Sequence, residues 1–301
     1  MTSISWRNRA PLPLARAGYA AGAVSNRFVV AGGSYWKEGV KRRTAAVDIY
    51  NPATDQWTSG PALPAPLSDA VSVTIQGALY VAGGLKDTGP KLETLVLWKG
   101  EWKVWPSLQL PEAKITASGA TDGMHIYMVG GQQQFGTDAA TNQVWMGDLR
   151  TPSSGWNELP SFPGGPHVVS AAAVWDDGLY VFGGFRIEKS VGTNSREIWR
   201  LDLGRHTWAK VGELPESRRA FFAGPGDREI LLFGGYTNDF SAQVQSFDPR
   251  TNAVRPAGTL PHPVADARFV RIGKRWYTAG GEVGMKIRGN HTWEGVTGDA
   301  A

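Results

Sequence analysis

The sequence Phe28-Val29-Val30-Ala31-Gly32-Gly33 is the first of six similar segments in which a short apolar run ends in a glycine doublet. The other five segments are LYVAGG at 79–84, IYMVGG at 126–131, LYVFGG at 179–184, ILLFGG at 230–235 and WYTAGG at 276–281. Successive doublets are 51, 47, 53, 51 and 46 residues apart. β-Branched and aromatic residues are typical of strands, and four strands of about 5 to 6 residues with their turns fill such a length. The spacing therefore predicts one four-stranded sheet per repeat.

Two further features follow most doublets, a turn carrying Asp or Pro and a later tryptophan. The turn is clear at Asn51-Pro52 and at Asp248-Pro249. A Trp precedes a Pro by seven residues in the pairs Trp6 and Pro13, Trp57 and Pro64, Trp156 and Pro163, and Trp208 and Pro215. The second repeat has Trp102 and Trp105 on either side of the expected position, and the fifth has Val254 there. We expect the doublet glycines to allow positive φ and close backbone approach, and the tryptophans to pack between neighbouring repeats.

The doublet after an apolar strand, the Asp-Pro type of turn and the Trp before a Leu-Pro step together resemble the Kelch repeat. The Kelch unit of about 50 residues is one blade of a β-propeller. The resemblance implies an all-β, six-bladed Kelch β-propeller that forms a single domain over residues 1–301. The blades are expected roughly at residues 14–64, 65–111, 112–163, 164–215, 216–261 and 262–295, the last with 3–10 added.

The sixth repeat ends soon after Trp293 and has no fourth strand of its own. Residues near Ser3 to Trp6 can supply that strand. Because an open sheet edge invites aggregation, we expect the N-terminal strand to complete the last blade beside the C-terminal strand.

Composition excludes several classes of protein. The 42% hydrophobic and 11% aromatic content excludes a disordered or fibrous chain, and the absence of cysteine excludes disulfides, thiol nucleophiles and Cys-ligated zinc. The net charge is +4 and the 31 basic residues form no dense run, so nucleic acid is not an expected partner. No apolar stretch approaches the roughly 18 to 20 residues of a membrane span. The N-terminus has no leader pattern, which predicts a cytoplasmic protein by default, or a periplasmic one if a leader was trimmed.

Function in such a ring is expected in the loops of one face and around the central channel. The candidate binding residues in these loops are Arg16, Trp36, Asp69, Lys114, His167, Arg186, Arg218, Tyr236 and Asp266. Cations can hold a carboxylate, and aromatic rings can stack on a polyol. We therefore predict that the channel binds a small sugar or sugar acid, in a pocket shaped by the long loops 34–44 and 185–196.

The segment Gly280 to Arg288 resembles the Gly-Glu and later Arg element of the sialate mutarotases, Kelch propellers that interconvert the anomers of sialic acid. In that family a Glu and an Arg six residues later belong to the active site, and the same interval separates Glu282 from Arg288. The resemblance implies that Glu282 shuttles a proton at the anomeric centre and that Arg288 holds the substrate carboxylate. Val-Gly-Met-Lys-Ile replaces the usual Lys-Pro-Gly between them, and the element lies in the last blade, which requires circular permutation.

No cofactor and no metal site are expected. Mutarotation needs only an acid and a base, and the five histidines show no tight metal-ligand spacing. Galactose oxidase shares the propeller type, but its family cofactor needs a cysteine. The Asp-box turns of sialidases are missing, which argues against a glycosidase with a Tyr nucleophile.

Two alternatives stay open. The first is a non-catalytic module that binds a protein or peptide on the same loop face, with Trp36, Phe135 and Tyr236 as anchors. The second is polysaccharide binding without turnover. The fold does not decide among these functions, because propellers host many unrelated ones.

Overall fold

Six four-stranded antiparallel sheets surround a central channel in the computed structural model, which describes residues 2–135, 139–189 and 191–299. The innermost strands of neighbouring sheets contact each other all the way round the ring. This confirms the expected all-β, six-bladed propeller. In the described part of the chain, no helix has the length and apolarity needed to cross a bilayer.

The strands of each blade follow one another outward from the channel, except that the outermost strand of blade six comes from the N-terminus. From the innermost strand outward they are Ala20–Val24, Arg27–Ala31, Val47–Asn51 and Gln56–Ser59 in blade one; Val71–Ile75, Ala78–Ala82, Thr94–Trp98 and Glu101–Val104 in blade two; Ser118–Thr121, His125–Val129, Val144–Asp148 and Trp156–Leu159 in blade three; Ala171–Trp175, Gly178–Phe182, Glu197–Asp202 and Thr207–Glu213 in blade four; Phe222–Pro225, Ile230–Phe233, Gln243–Asp248 and Ala253–Thr259 in blade five; and Phe269–Ile272, Arg275–Ala279, Thr292–Asp299 and Thr2–Arg9 in blade six.

Short strands extend several of the segments after the doublets, all on one face of the ring, which we call the doublet face. They are Ser34–Lys37 with Val40–Arg43, Leu85–Lys86 with Gly89–Pro90, Phe185–Glu188 with Val191–Asn194, and Glu282–Gly284 with Ile287–Arg288. The strand His167–Val168, just before the innermost strand of blade four, also pairs with Phe185–Glu188. The expected long loop 34–44 is therefore largely a β-hairpin, and so is the described part of 185–196. Two 3₁₀ turns, Pro106–Leu108 and Pro152–Ser154, complete the elements.

The N-terminal strand closes the ring, as the sequence predicts. Thr2–Arg9 pairs antiparallel with Thr292–Asp299 along its whole length. Trp6 on this strand packs against Phe233 of blade five and Phe269 of blade six, with ring centroids 6.1 and 6.0 Å apart. The first strand of the chain thus covers aromatic surface at the seam between the last two blades.

A buried carboxylate also holds the N-terminal strand in place through an ion pair. Glu294, on the third strand of blade six, is fully buried, and Arg9 Nε donates to its Oε2 at 2.6 Å. Arg275 Nη1 lies 2.8 Å from the other oxygen of Glu294. The hydrogen bond to Glu294 raises the pKa of Arg9. Because a buried charge is costly without partners, loss of Arg9 would leave Glu294 poorly compensated.

The glycine doublets join each blade to the next. The second glycine of every doublet donates its N–H to a backbone carbonyl of the following blade at 2.7 to 2.9 Å, a contact we call the doublet bond. The six donor and acceptor pairs are Gly33 and Leu67, Gly84 and Lys114, Gly131 and His167, Gly184 and Arg218, Gly235 and Val264, and Gly281 and Arg16. The first glycine has a φ between +52° and +69°, and a Cβ there would lie 2.3 to 2.5 Å from the same carbonyl oxygen. Both observations require glycine.

The repeated tryptophans form a second set of links between blades, nearer the rim. The indole N–H donates at 2.8 to 2.9 Å to a carbonyl in the segment that follows the outermost strand of the preceding blade. The pairs are Trp57 and Ala10, Trp102 and Pro61, Trp156 and Leu108, and Trp208 and Pro160. Trp102 is therefore the repeat tryptophan of blade two. In blade five Val254 packs into the core between blades four and five instead.

Deletion of residues 1 to 8 is expected to lower the midpoint of thermal unfolding by on the order of 10 °C. The deletion removes a strand pairing and the burial of apolar surface, which together stabilise the fold by several kcal/mol. Circular dichroism on the full chain and the truncated chain measures this. Arg9→Ala should also lower the midpoint, because Glu294 loses a partner, whereas Arg7→Ala should change little, because Arg7 is mostly exposed and lies 3.9 Å from Glu294. An unchanged midpoint after the deletion would contradict closure by this strand.

Candidate functional site

A closed ring of six backbone hydrogen bonds lies at the mouth of the channel on the doublet face. Each member donates its N–H to the carbonyl of the preceding member, at 2.8 to 3.4 Å. The members are Gly18, Asp69, Thr116, Val169, Ala220 and Asp266. All six have a φ between +49° and +63°, which is uncommon for any non-glycine residue and strained for the β-branched Thr116 and Val169. Strained backbone of this kind concentrates at functional sites, which makes the mouth a candidate site.

Two carboxylates meet at this mouth. Asp69 and Asp266 approach from opposite sides of Gly18, where a Cβ would lie 2.9 Å from Asp69 Oδ1 and 3.3 Å from Asp266 Oδ2. Ser68 Oγ donates to Asp69 Oδ2 at 2.6 Å. Burial, and then the negative charge of Asp69, raise the pKa of Asp266 to about 7, although the positive charge of Arg268 opposes the shift. Asp266 can therefore carry a proton near neutral pH.

Glu282 and Arg288 lie beside Asp266, on the hairpin that follows the last doublet. They are directly paired across this hairpin, and Arg288 Nη1 donates to Glu282 Oε1. Arg288 Nε also donates to the carbonyl of Ser34 at 3.3 Å, which ties blade six to blade one. The charges of Glu282 and Arg288 both act on Asp266, in opposite directions. The structure thus brings together four residues of the predicted site, namely Asp69, Asp266, Glu282 and Arg288.

Three other predicted residues lie on the hairpins and loops of the doublet face. The ammonium group of Lys286 lies over the ring of Trp36, at 5.1 Å from the ring centroid. Arg186 is ion-paired with Glu188 on the same hairpin. Tyr236 lies farther round the ring, in blade five, where it packs edge-on against the ring of Phe240 and under the guanidinium of Arg219. These three side chains are spread over blades one, four and five rather than gathered at one pocket.

The remaining four predicted residues are buried between blades, with side chains 0 to 2% exposed. They are Arg16, Lys114, His167 and Arg218. Each contributes the carbonyl that accepts a doublet bond, so its backbone is drawn into the seam. Arg16 forms a salt bridge of 2.7 Å with Asp48 and donates to the carbonyl of Val30 at 3.1 Å. Burial lowers the pKa of Arg16, and Asp48 opposes that shift.

Lys114 and Arg218 are held by polar groups of their own blades. Lys114 Nζ donates to Thr141 Oγ1 at 2.9 Å and to the side-chain oxygen of Gln143 at 2.5 Å. Arg218 donates to Gln245 Oε1 at 3.0 Å and to backbone carbonyls, including that of Gln243 at 2.8 Å. Burial lowers the pKa of both side chains. Their donors are engaged within the fold and do not face the channel lining.

His167 is likewise engaged. Its ring packs on Phe162 with centroids 4.3 Å apart, and Nε2 lies 3.0 Å from Ser170 Oγ. Nδ1 lies 3.2 Å from the carbonyl of Gly165. Burial lowers the pKa of His167 to about 4, so the imidazole is neutral at physiological pH. A ligand role for these four buried residues stays a prediction, and the contacts described here are structural.

Below the mouth the channel widens into a chamber of about 460 Å³, formed by the innermost strands of all six blades. Its walls are mostly small apolar side chains, such as Ala21, Ala120, Ala172 and Ala223. Arg268 and Arg271 are the charged residues among the described residues that line it. The polar groups expected around a sugar are therefore concentrated at the mouth rather than in the chamber.

Arg268 is a channel residue that the sequence analysis missed. It occupies the second position after the mouth ring, immediately before the innermost strand of blade six. The corresponding residues of the other blades are Ala20, Val71, Ser118, Ala171 and Phe222. An alignment of the six repeats around their doublets would have revealed one charged residue at an otherwise uncharged channel position.

The doublet face also carries exposed apolar side chains. Among the described residues, the large hydrophobic side chains that are exposed number eight, and five of them lie in the segments after doublets. These five are Val40, Phe135, Val191, Met285 and Ile287. The other three, Trp98, Val104 and Met124, lie elsewhere on the blades. Large exposed apolar groups gathered on one face of a protein mark interaction surfaces.

Two family models match the chain. The model described as the KLHDC2/KLHL20/DRC7 Kelch-repeats domain matches residues 69–281, and the Kelch motif model matches residues 15–64. Together they include all six doublets and the two inner strands of the sixth blade.

Several curated proteins are similar to the chain at low identity. Beta-scruin from Limulus polyphemus is 29% identical over 70% of this chain and 23% of its own length. Kelch-like protein terF from Aspergillus terreus is 26% identical over 82% of this chain and 56% of its own length. N-acetylneuraminate epimerase from Haemophilus influenzae is 24% identical over 62% of this chain and 58% of its own length. The chain thus spans less than two thirds of each of these relatives.

Proposed function

The chain belongs to the Kelch-repeat family, and from this premise we propose that it is a binding module whose doublet face takes a protein partner through a segment rich in acidic and apolar side chains. The observation that carries the proposal is the concentration of exposed apolar side chains on that face, five of the eight found in the described chain. Interfaces combine such anchors with a polar rim. The similarity to Kelch-like proteins is compatible with this role.

The positive charge of the blade-one hairpin on the doublet face supports an acidic partner. The hairpin of blade one exposes Lys37, Lys41 and Arg42, against one acidic residue, Glu38. In the described part of the chain these three cations form no salt bridge, whereas Arg43 beside them is paired with Asp87 at 2.9 Å. Unpaired exposed cations attract and orient an acidic segment, and the attraction weakens as salt is added.

Cations and rings connect these hairpins into one surface. Lys41 of blade one lies 5.8 Å from the ring centroid of Phe135 in blade three, and Lys286 of blade six lies 5.1 Å from that of Trp36 in blade one. We call the resulting surface the hairpin patch, defined as Trp36, Lys37, Val40, Lys41, Arg42, Phe135, Met285, Lys286 and Ile287. Aromatic anchors beside cations suit a partner with alternating apolar and acidic residues.

Selection from a library of random displayed peptides tests the proposal. Peptides enriched on the full chain are expected to contain acidic and apolar residues and to bind more weakly at high salt. The double variant Lys41→Glu with Phe135→Ser should weaken their binding by at least about tenfold, as measured by fluorescence anisotropy, because an anchor and a cation are lost together.

A matched control is available on blade two. Lys99 lies 4.5 Å from the ring centroid of Trp98, which is exposed like Phe135, but this pair is outside the hairpin patch. Lys99→Glu with Trp98→Ser should leave binding unchanged. Enriched peptides without acidic residues, or equal binding to both double variants, would contradict the proposal.

A second candidate function is sialate mutarotation at the channel mouth. It is favoured by the contact of Glu282 with Arg288 beside Asp266, and by the similarity to N-acetylneuraminate epimerase. In this reaction a base removes the proton of the anomeric hydroxyl while an acid protonates the ring oxygen, and the opened sugar closes again on the other face. Glu282 would be the base, Asp266 the acid, and Arg288 the group that holds the substrate carboxylate in competition with Glu282.

Exchange between the two anomers of N-acetylneuraminate, followed by NMR, tests the second candidate. A mutarotase is expected to accelerate exchange, and Glu282→Gln should remove most of the acceleration without lowering thermal stability by more than a few degrees. Glu188→Gln is the control, because Glu188 is also ion-paired with an arginine, Arg186, on a hairpin of the doublet face, in blade four. Exchange no faster than in buffer would exclude this function.

A further inference from the structure

The chamber inside the ring has the size of a ligand site but not the polarity of a sugar site. Its volume of about 460 Å³ lies within the range of small-molecule pockets. Val73, Val174 and Phe222 line it together with several alanines and glycines. A polyol placed there would leave most of its hydroxyl groups without hydrogen-bond partners, which is costly. The walls instead suit an apolar body.

One cationic side chain lies at the end of this chamber next to the mouth. Arg268 lines both the chamber and the narrow passage of about 20 Å³ that leads from it toward the mouth. Its guanidinium has one weak hydrogen bond, from Nη2 to the carbonyl of Ala70 at 3.5 Å. Among the described residues it forms no salt bridge. Arg268 therefore has donors to offer to an anion in the chamber.

The opposite end of the chamber differs in this respect. Arg271, at that end, is paired with Asp227, and its Nη1 lies 3.4 Å from the carbonyl of Pro225. The chamber reaches the turn between the first and second strands of blade five, where Pro225 and Gly226 line it. Among the described residues, Arg268, without a salt bridge, thus lies at the end of the chamber next to the mouth, and Arg271, which is paired, lies at the end on the face opposite the doublets.

We propose that the chamber binds a small amphiphile, a monocarboxylate with an apolar body, whose carboxylate pairs with Arg268. The apolar body lies against the innermost strands, where burial of its surface drives binding. The guanidinium supplies a fork of donors that matches the two carboxylate oxygens. Asp69 and Asp266 lie beyond Arg268 at the mouth, so the negative head group approaches from the chamber side. This site is separate from the hairpin patch and does not depend on the function proposed for it.

Calorimetric titration of the full chain with sodium decanoate tests this proposal, with 1-decanol as the uncharged comparison. Decanoate is expected to bind at one saturable site, at least about tenfold more tightly than decanol, and to change the total tryptophan fluorescence, because Trp276 lines the chamber. Arg268→Gln should weaken decanoate binding about tenfold or more and bring it to the level of decanol. Arg271→Gln removes the same charge at the other end and should have less than a threefold effect.

A third variant keeps the test decisive if Arg268→Gln unfolds the protein. Ala172→Leu narrows the chamber without touching Arg268, and it should weaken decanoate and decanol alike. Absence of saturable binding by decanoate would overturn the proposal. Equal affinity for decanoate and decanol, or equal weakening by Arg268→Gln and Arg271→Gln in folded proteins, would also overturn it.

Discussion

The hydrogen bond from the second glycine of each doublet to a carbonyl of the next blade is the contact on which the rest of the structure depends. It occurs at all six seams, at 2.7 to 2.9 Å. The first glycine must adopt a positive φ and lie so close to the same carbonyl that no Cβ fits. These requirements fix the distance between neighbouring blades at the end of each short apolar strand. Six such distances, together with the pairing of Thr2–Arg9 with the last strand, close the ring.

The same contact decides which side chains are available for function. The carbonyl that accepts it belongs to Arg16, Lys114, His167 or Arg218 in four of the six seams. Their side chains are consequently buried between blades and neutralised or hydrogen-bonded there. Chain that continues beyond the doublets is free of this constraint, which is why the hairpins of the doublet face can project exposed cations and rings. The mouth carboxylates, two positions after the accepting carbonyl, remain within reach of the channel.

The sequence was sufficient for the fold because its determinants are local and repeated. The doublets at 32–33 and onward reveal the blade count, and the missing fourth strand after Trp293 reveals how the ring closes. Site residues were harder to predict, because a cation such as Arg218 looks the same in the sequence whether it faces a channel or a seam. Arg268 was missed for the opposite reason, since only its place in the repeat, and not its type, marks it as a channel residue.

The functional proposals follow from this division between seam, mouth, chamber and projecting hairpins. Exposed apolar and cationic groups on the hairpins favour a protein partner there, the carboxylates and Arg288 at the mouth favour proton transfer, and the apolar chamber with Arg268 favours an amphiphile. Each rests on the ring being held in the geometry that the doublet bonds impose. A test of that geometry is therefore a test of the whole account.

The most direct measurement is the loss of unfolding free energy in two alanine variants, followed by urea denaturation. Gly234 and Gly273 have nearly the same φ, +58° and +60°, but a Cβ at Gly234 would lie 2.3 Å from the carbonyl oxygen of Val264, whereas a Cβ at Gly273 meets nothing within 4 Å. Gly273→Ala should cost about 1 kcal/mol, the strain of the conformation alone. Gly234→Ala should cost at least about 3 kcal/mol, because the seam must open to admit the methyl group. Equal losses in the two variants would contradict the central role of the doublet bond.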